Sequence, residues 1–276
     1  MDPGNPSKEV EVDPAVVEFT AVIMAGSRGS PDPVALASGK SHKCLVDVSG
    51  TPMLARVLKT LESSPRVARI VLCVEPSFGP ISWIEERIER GSLELLDAAG
   101  SPAASAVRAC DALADALPLL IVTADHPLLD REMLEHFCQR AYGCGDVAAG
   151  VARANLVSET YPRSARTVLR FADDAYCGCN LFALNTAAAR AVAMFWTTLE
   201  SERKRPWRLI RILGAGPLLR YWRGRLELAE AVATLSRKLR ILADTVELPF
   251  AEAAIDIDKP SDLELVESIL TARESE

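Results

Sequence analysis

Only three histidines, His42, His126 and His136, occur among 276 residues. There is no G-x-S-x-G, no H-E-x-x-H and no G-x-G-x-x-G. Those absences remove the serine-hydrolase elbow, the helical zinc-protease pair and the dinucleotide fingerprint. The seven cysteines form no C-x-x-C pair, which argues against a zinc site. Cys177 and Cys179 flank a glycine and read as packing rather than chelation. Scattered thiols in odd number point to a reducing, cytoplasmic setting. The longest apolar stretch, residues 117–122, is far too short for a transmembrane segment. Residues 1–12 are polar and acidic, unlike a secretion signal. A net charge of −7 leaves no broad basic surface for nucleic acid.

What is present is an alternation of buried-strand and amphipathic-helix patterns. Strands are expected at 19–24, 69–74, 93–96 and 117–123, with helices at 52–62, 82–90, 103–116 and 130–142. That rhythm predicts an α/β fold, with a mostly parallel central sheet and helices on both faces. Beyond Asp146 the pattern predicts strands at 147–152, 167–171 and 180–184 and a small helical insertion near 186–235. A last strand at 253–257 and a last helix at 260–272 close the chain. Residues 1–18, interrupted by Pro3, Gly4, Pro6 and Pro14, read as a disordered lead-in to a single domain over 19–276.

The first strand runs into Ala25-Gly26-Ser27-Arg28-Gly29, and Lys43 follows in Ser41-His42-Lys43-Cys44-Leu45. Glycines at a strand's carboxyl end let backbone N–H groups approach phosphate oxygens, and Arg28 and Lys43 add positive charge. An ordinary βα turn with a polar loop has the same composition. Asp125 lies just past the 117–123 strand, on the edge where open α/β sheets bind ligands. A carboxylate there suits Mg²⁺, or simply a turn before Pro127. Asp256-Ile257-Asp258 forms a second acidic cluster, in which strand alternation would put both acids on one side. Asp258 or Ser261 could instead cap the final helix.

These landmarks, in order, resemble the nucleotidyltransferase superfamily with the glycosyltransferase-A-like, Rossmann-like fold. That group includes the molybdenum-cofactor guanylyltransferase, sugar-phosphate nucleotidyltransferases, and the methylerythritol-phosphate and Kdo cytidylyltransferases. The matching segments are Val22-Ile23-Met24-Ala25-Gly26, Lys43-Cys44-Leu45, Gly50-Thr51-Pro52-Met53-Leu54, Thr123-Ala124-Asp125-His126-Pro127-Leu128, Gly178-Cys179-Asn180-Leu181-Phe182 and Asp256-Ile257-Asp258-Lys259-Pro260. The resemblance implies a nucleotide-binding half (19–145) and an acceptor-binding half (146–276). It implies that Met24, Ala25, Gly26, Ser27 and Gly29 wrap the nucleotide phosphates, with Gly100 and Ser105 bordering the base. Lys43, Asp125 and Arg28 would form the catalytic set, and Asn180 would touch the acceptor. Asp125, with Asp258 or Asp256, would hold Mg²⁺. The loop departs from the family pattern: Arg28 follows Gly26 by only two residues, and the interval to Lys43 is long enough for Lys40 to share its role.

Around Arg208 and Arg211, arginines mix with Trp207 and aliphatics, followed by Arg220, Tyr221, Trp222 and Arg223. Three readings remain open for this stretch: a packed helical subdomain, contact with the acceptor, or a peripheral membrane contact. The expectation overall is transfer of a nucleoside monophosphate from an NTP to a phosphorylated small-molecule or lipid-linked acceptor, with release of pyrophosphate. CTP is favoured, because small residues at 101–105 and the Asp-x-Asp-x-Pro ending suit that branch. The alternatives are a GTP-using molybdopterin-type guanylyltransferase, a nucleotide-sugar glycosyltransferase using Asp256-Ile257-Asp258 as its D-x-D, and a non-catalytic nucleotide-binding protein.

Overall fold

The computed structural model describes residues 17–26, 32–202 and 214–274. Its ten strands are β1 (Phe19–Met24), β2 (Asp47–Val48), β3 (Thr51–Pro52), β4 (Val67–Val74), β5 (Glu94–Asp97), β6 (Leu119–Thr123), β7 (Val147–Arg153), β8 (Val168–Arg170), β9 (Ala175–Leu184) and β10 (Ala243–Glu247). Eight make one sheet in the order β10-β7-β9-β6-β1-β4-β5, with β8 added beside β9. Neighbours are parallel except where β9 meets β6, β7 and β8. The mostly parallel α/β fold expected from the alternation is the one observed.

β1 shows why these residues make a central strand. Ala21 and Ile23 enter one core layer, and Val22 enters the other. A strand apolar on both faces has to be covered on both. On one side Met53, Leu54, Val57, Leu58 and Leu61 form a buried stripe on helix Met53–Ser63. Helix Arg131–Ala141 repeats that spacing with Met133, Leu134, Phe137, Cys138 and Ala141, and Asp130 caps it through the Met133 amide at 2.9 Å. Helices Pro102–Ala112 and Arg190–Glu202 take the opposite side, where Ala109 and Ala189 are buried. The insertion continues with helices Ala215–Trp222 and Leu228–Leu239.

Register fixes the functional edge. Met24 pairs with Thr123 where β1 and β6 end, so Gly26 and Asp125 emerge side by side. Antiparallel β9 brings Leu181 opposite Val122, which carries Asn180 to the same edge.

The expected last strand at 253–257 is not a strand. Ala251–Ala254 is a 3₁₀ turn, followed by extended chain. Ala253, Ala254, Ile255 and Ile257 are buried as core filling, while the half-polar Ala243–Glu247 takes the sheet edge beside β7. Apolar content is misleading here, because burial of this segment comes from packing without ladder pairing. Asp256 and Asp258 therefore do not share a strand face. Two short helices, Pro33–Ala37 and Ala154–Thr160, have no counterpart in the sequence periodicity. The first is explained by Asp32, which accepts from the Val34 and Ala35 amides, and by Pro33 behind it.

Candidate active site

Lys43 sits in a 3₁₀ turn, Lys43–Leu45, anchored by buried Cys44. Its Nζ donates to Asp125 Oδ2 at 2.6 Å and to Asp258 Oδ1 at 3.0 Å. Partners 82 and 215 positions away from Lys43 thus meet it at one point. Burial alone would lower the Lys43 ammonium, but Asp125 and then Asp258 raise it above its ordinary value. Burial would likewise raise Asp125, and Lys43 outweighs it, holding the carboxyl below the usual range. Both groups are charged at neutral pH. Asp125 Oδ1 and Thr123 Oγ1 are buried and find no other residue to bond among those described, and the Thr123 hydroxyl lies near enough to Asp125 to help hold its carboxyl down.

Asp256 is held differently. Arg166 grips its carboxylate and donates to its backbone oxygen at 2.8 Å, and Asn180 Nδ2 donates to Oδ2 at 2.8 Å. The same guanidinium reaches Asp262 Oδ1 at 2.9 Å, and its side chain is only 8% exposed. Asp262 Oδ2 accepts from the Asp258 and Lys259 amides at 3.0 and 3.1 Å, so Asp262 organises the start of helix Pro260–Glu274. Burial, with Asp125 and Asp258 nearby, pushes Asp256 above the ordinary carboxylate range. Arg166 carries no sequence signal, since it lies in an irregular loop and its partners are 90 and 96 residues away.

Among the other expected residues, Met24 and Ala25 close the carboxyl end of β1, where the Ala25 amide donates to Cys73 O at 3.0 Å. Gly26 has a packing reason of its own: a Cβ there would stand 2.9 Å from that of Ala98. Gly100 is open and exposed. Ser105 is buried, and its Oγ accepts from the Ala99 amide at 2.8 Å, fixing the loop that carries Gly100. Lys40 pairs with Asp47 at 2.7 Å. His126 is buried, with Nε2 3.2 Å from Glu252 O, and burial lowers its pKa. Ser27, Arg28, Gly29, Arg208 and Arg211 lie outside the described residues, as does most of the expected lead-in. No helix among the described residues is long and apolar enough to cross a membrane.

Paired carboxylates and a lysine meet at the carboxyl edge of a mostly parallel sheet, beside the end of β1 at Gly26, which places the protein among the nucleotidyltransferase-type α/β proteins. A family model for the MobA-like NTP transferase domain matches residues 21–174, more than half the chain, and the chain belongs to that family. A 2-C-methyl-D-erythritol 4-phosphate cytidylyltransferase from Thiobacillus denitrificans is 30% identical over 158 residues, covering 54% of this chain and 63% of that protein. A solved structure described as a hypothetical transferase from Thermus thermophilus matches with a TM-score of 0.73 and 25% identity, over 90% of this chain and 100% of that one. The 2-C-methyl-D-erythritol 4-phosphate cytidylyltransferase from the same organism shares the fold at a TM-score of 0.52 and 16% identity, over 92% of this chain and 100% of that one.

Proposed function

We propose that this protein transfers cytidylyl groups from CTP to a phosphorylated acceptor, releasing pyrophosphate. The observation that carries the reading is the Lys43 bridge between Asp125 and Asp258, at the sheet edge where β1 ends in Gly26, with no cationic side chain among the described residues on Asp125 Oδ1. The choice of CTP leans on the cytidylyltransferase from Thiobacillus denitrificans.

The donor set suits Mg²⁺. Among the described residues no group of three or more His, Cys, Asp or Glu side chains assembles into a metal site. A hard ion shared between one or two carboxylates and substrate phosphates needs no more than that. Asp125 and Asp258 would hold it, since Asp256 is already committed to Arg166 and Asn180. When bound, Mg²⁺ supplies positive charge against the triphosphate oxygens.

The remaining work falls to the protein. An acceptor phosphate is anionic near neutral pH, so its oxygen attacks the α-phosphorus without a strong base, and the bond to the bridging β-oxygen breaks as pyrophosphate leaves. His126, buried and directed at a backbone carbonyl, takes no part. Lys43 stays protonated and binds the phosphate charge once substrate displaces it from the acids. Residues 99–101, fixed by Ser105, border the base. All seven cysteines are free, which supports a reducing cytoplasm as the setting.

The test is pyrophosphate release from each NTP with Mg²⁺ and a panel of phosphorylated alcohols. Release with CTP is expected. Turnover of a nucleotide-sugar without pyrophosphate would overturn the reaction class, and turnover of GTP alone would overturn the base.

A further inference from the structure

The charged edge has an apolar neighbour. In the β8–β9 pair Leu169 lies opposite Tyr176, and opposed residues share a face. Gly178 is the next residue on that face, whereas Cys177 and Cys179 point into the core on the other. Asn180 continues the series and donates to Asp256. Thr167, Leu169 and Gly178 are all exposed, and a Cβ built at Gly178 would meet nothing within 4 Å. Tyr176, on the same face, is buried, and an open strip leads beside it from Asn180 over Gly178 to Leu169.

The strip ends at a pocket of about 280 Å³ between β8 and helices Ala215–Trp222 and Leu228–Leu239. Leu169, Phe171, Leu218, Tyr221, Leu226 and Leu235 line it, and Lys238 is its one charged lining residue among those described. Leu169 remains 45% exposed, and helix Leu228–Leu239 has no fully buried residue. The insertion has thus not committed its apolar side to the core. Cations and carboxylates at one end of an open track and aliphatic walls at the other match a ligand of two characters.

We infer that the acceptor is an elongated amphiphile, whose phosphate meets the Lys43 edge while its apolar group enters the Leu169–Leu235 pocket. The inference rests on the nucleotidyl-transfer reading above. Four residues of strand, about 13 Å, separate Tyr176 from Asn180, which sets the span the acceptor has to bridge.

Calorimetric titration of ethyl, octyl and dodecyl phosphate, below their micelle concentrations and without NTP, reads this directly. Affinity is expected to rise about fourfold per methylene taken into the pocket, then to level off. Leu169→Glu is expected to flatten the series while leaving ethyl phosphate and CTP binding unchanged. Gly178→Val, which fills open space without strain, is expected to weaken dodecyl phosphate alone. A flat series in a protein that binds CTP and releases pyrophosphate would overturn the amphiphile and leave the transferase reading standing. Failure to bind CTP or release pyrophosphate would remove that reading and the inference with it. A dimer that Leu169→Glu dissolves, seen by light scattering beside a flat series, would assign the pocket to a second copy and overturn the inference.

Discussion

Lys43 stands between Asp125 and Asp258, and Arg166 stands between Asp256 and Asp262. Lys43 offers a point charge on a flexible stem, and its partner Asp258 is 70% exposed. Such an ammonium is easily exchanged for another cation, and releasing it costs little structure. Arg166 offers a planar fork, buried, with one partner that also holds two backbone amides. That guanidinium cannot leave without loosening the start of a helix. On the transferase reading, the difference separates the cation that substrate displaces from the one that keeps the acids in place.

The sharpest break in this comparison is Asp125→Asn. The amide oxygen still accepts from Lys43, so the circular dichroism spectrum should not change, but losing the charge pair should cost about 2 kcal/mol in unfolding, as removing Lys43 does. Pyrophosphate release should fall roughly 10³-fold, because the neutral amide cannot hold the ion that the carboxylate is expected to share with the phosphates. Activity near wild type would remove Asp125 from the chemistry.

Arg166→Met should fall mainly on stability. It leaves Asp256 and Asp262 without their shared cation, at a cost of about 3 kcal/mol in urea unfolding. Arg166→Lys should recover only part of this, since a point charge cannot span both acids as a fork does. A loss below about 1 kcal/mol would show that the clamp is not structural.

How far the chain discloses this depends on where each residue gets its partner. Asp125 and Gly26 are legible because one apolar strand places each at a sheet edge, and strand patterns are local. Lys43 is legible as a cation following a glycine loop. Its bridge is not, because contacts across 82 and 215 residues leave no periodicity. Arg166 gives no sign for the same reason. The β10 edge escapes the pattern because Ala243–Glu247 looks half-polar, while the apolar 253–257 segment draws the strand assignment instead. Asn180, expected at the acceptor, donates to Asp256 from a left-handed backbone at φ 51, a partner 76 residues away that no local pattern discloses. Asparagine tolerates that conformation better than most residues do.

Lys43→Ala should show an intermediate effect with a pH signature. In the folded protein Asp125 is depressed, so its contribution is present above the unfolded carboxylate range and lost as pH falls through the folded value. Lys43 is raised, so its contribution is present below the unfolded lysine value and lost as pH rises through the folded one. Removing Lys43 at pH 7 should therefore cost about 2 kcal/mol, less than a fully buried pair because both side chains keep some solvent contact. The deficit should shrink as acid protonates Asp125, and Mg²⁺ should raise the variant's melting temperature more than the wild type's. A deficit that fails to shrink as pH falls below about 4, through the depressed Asp125 value, would show that the bridge is not electrostatic.

Asp258→Asn should be the mildest change and the most selective. Its side chain is largely solvent-exposed, so losing its ion pair with Lys43 should alter folding by no more than about 0.5 kcal/mol. Its value lies in the contrast with Asp256→Asn, which strips a charge from the Arg166 clamp. If the exchangeable bridge holds the ion and the clamp only supports it, Mg²⁺ titrated against the folded protein should weaken about tenfold in Asp258→Asn. Asp256→Asn should instead lose stability first, with Mg²⁺ affinity following only as far as Asp258 loses its position. Equal loss of Mg²⁺ affinity in both, at equal stability, would mean that the two acids act as one pair and that Arg166 shares a ligand with the ion.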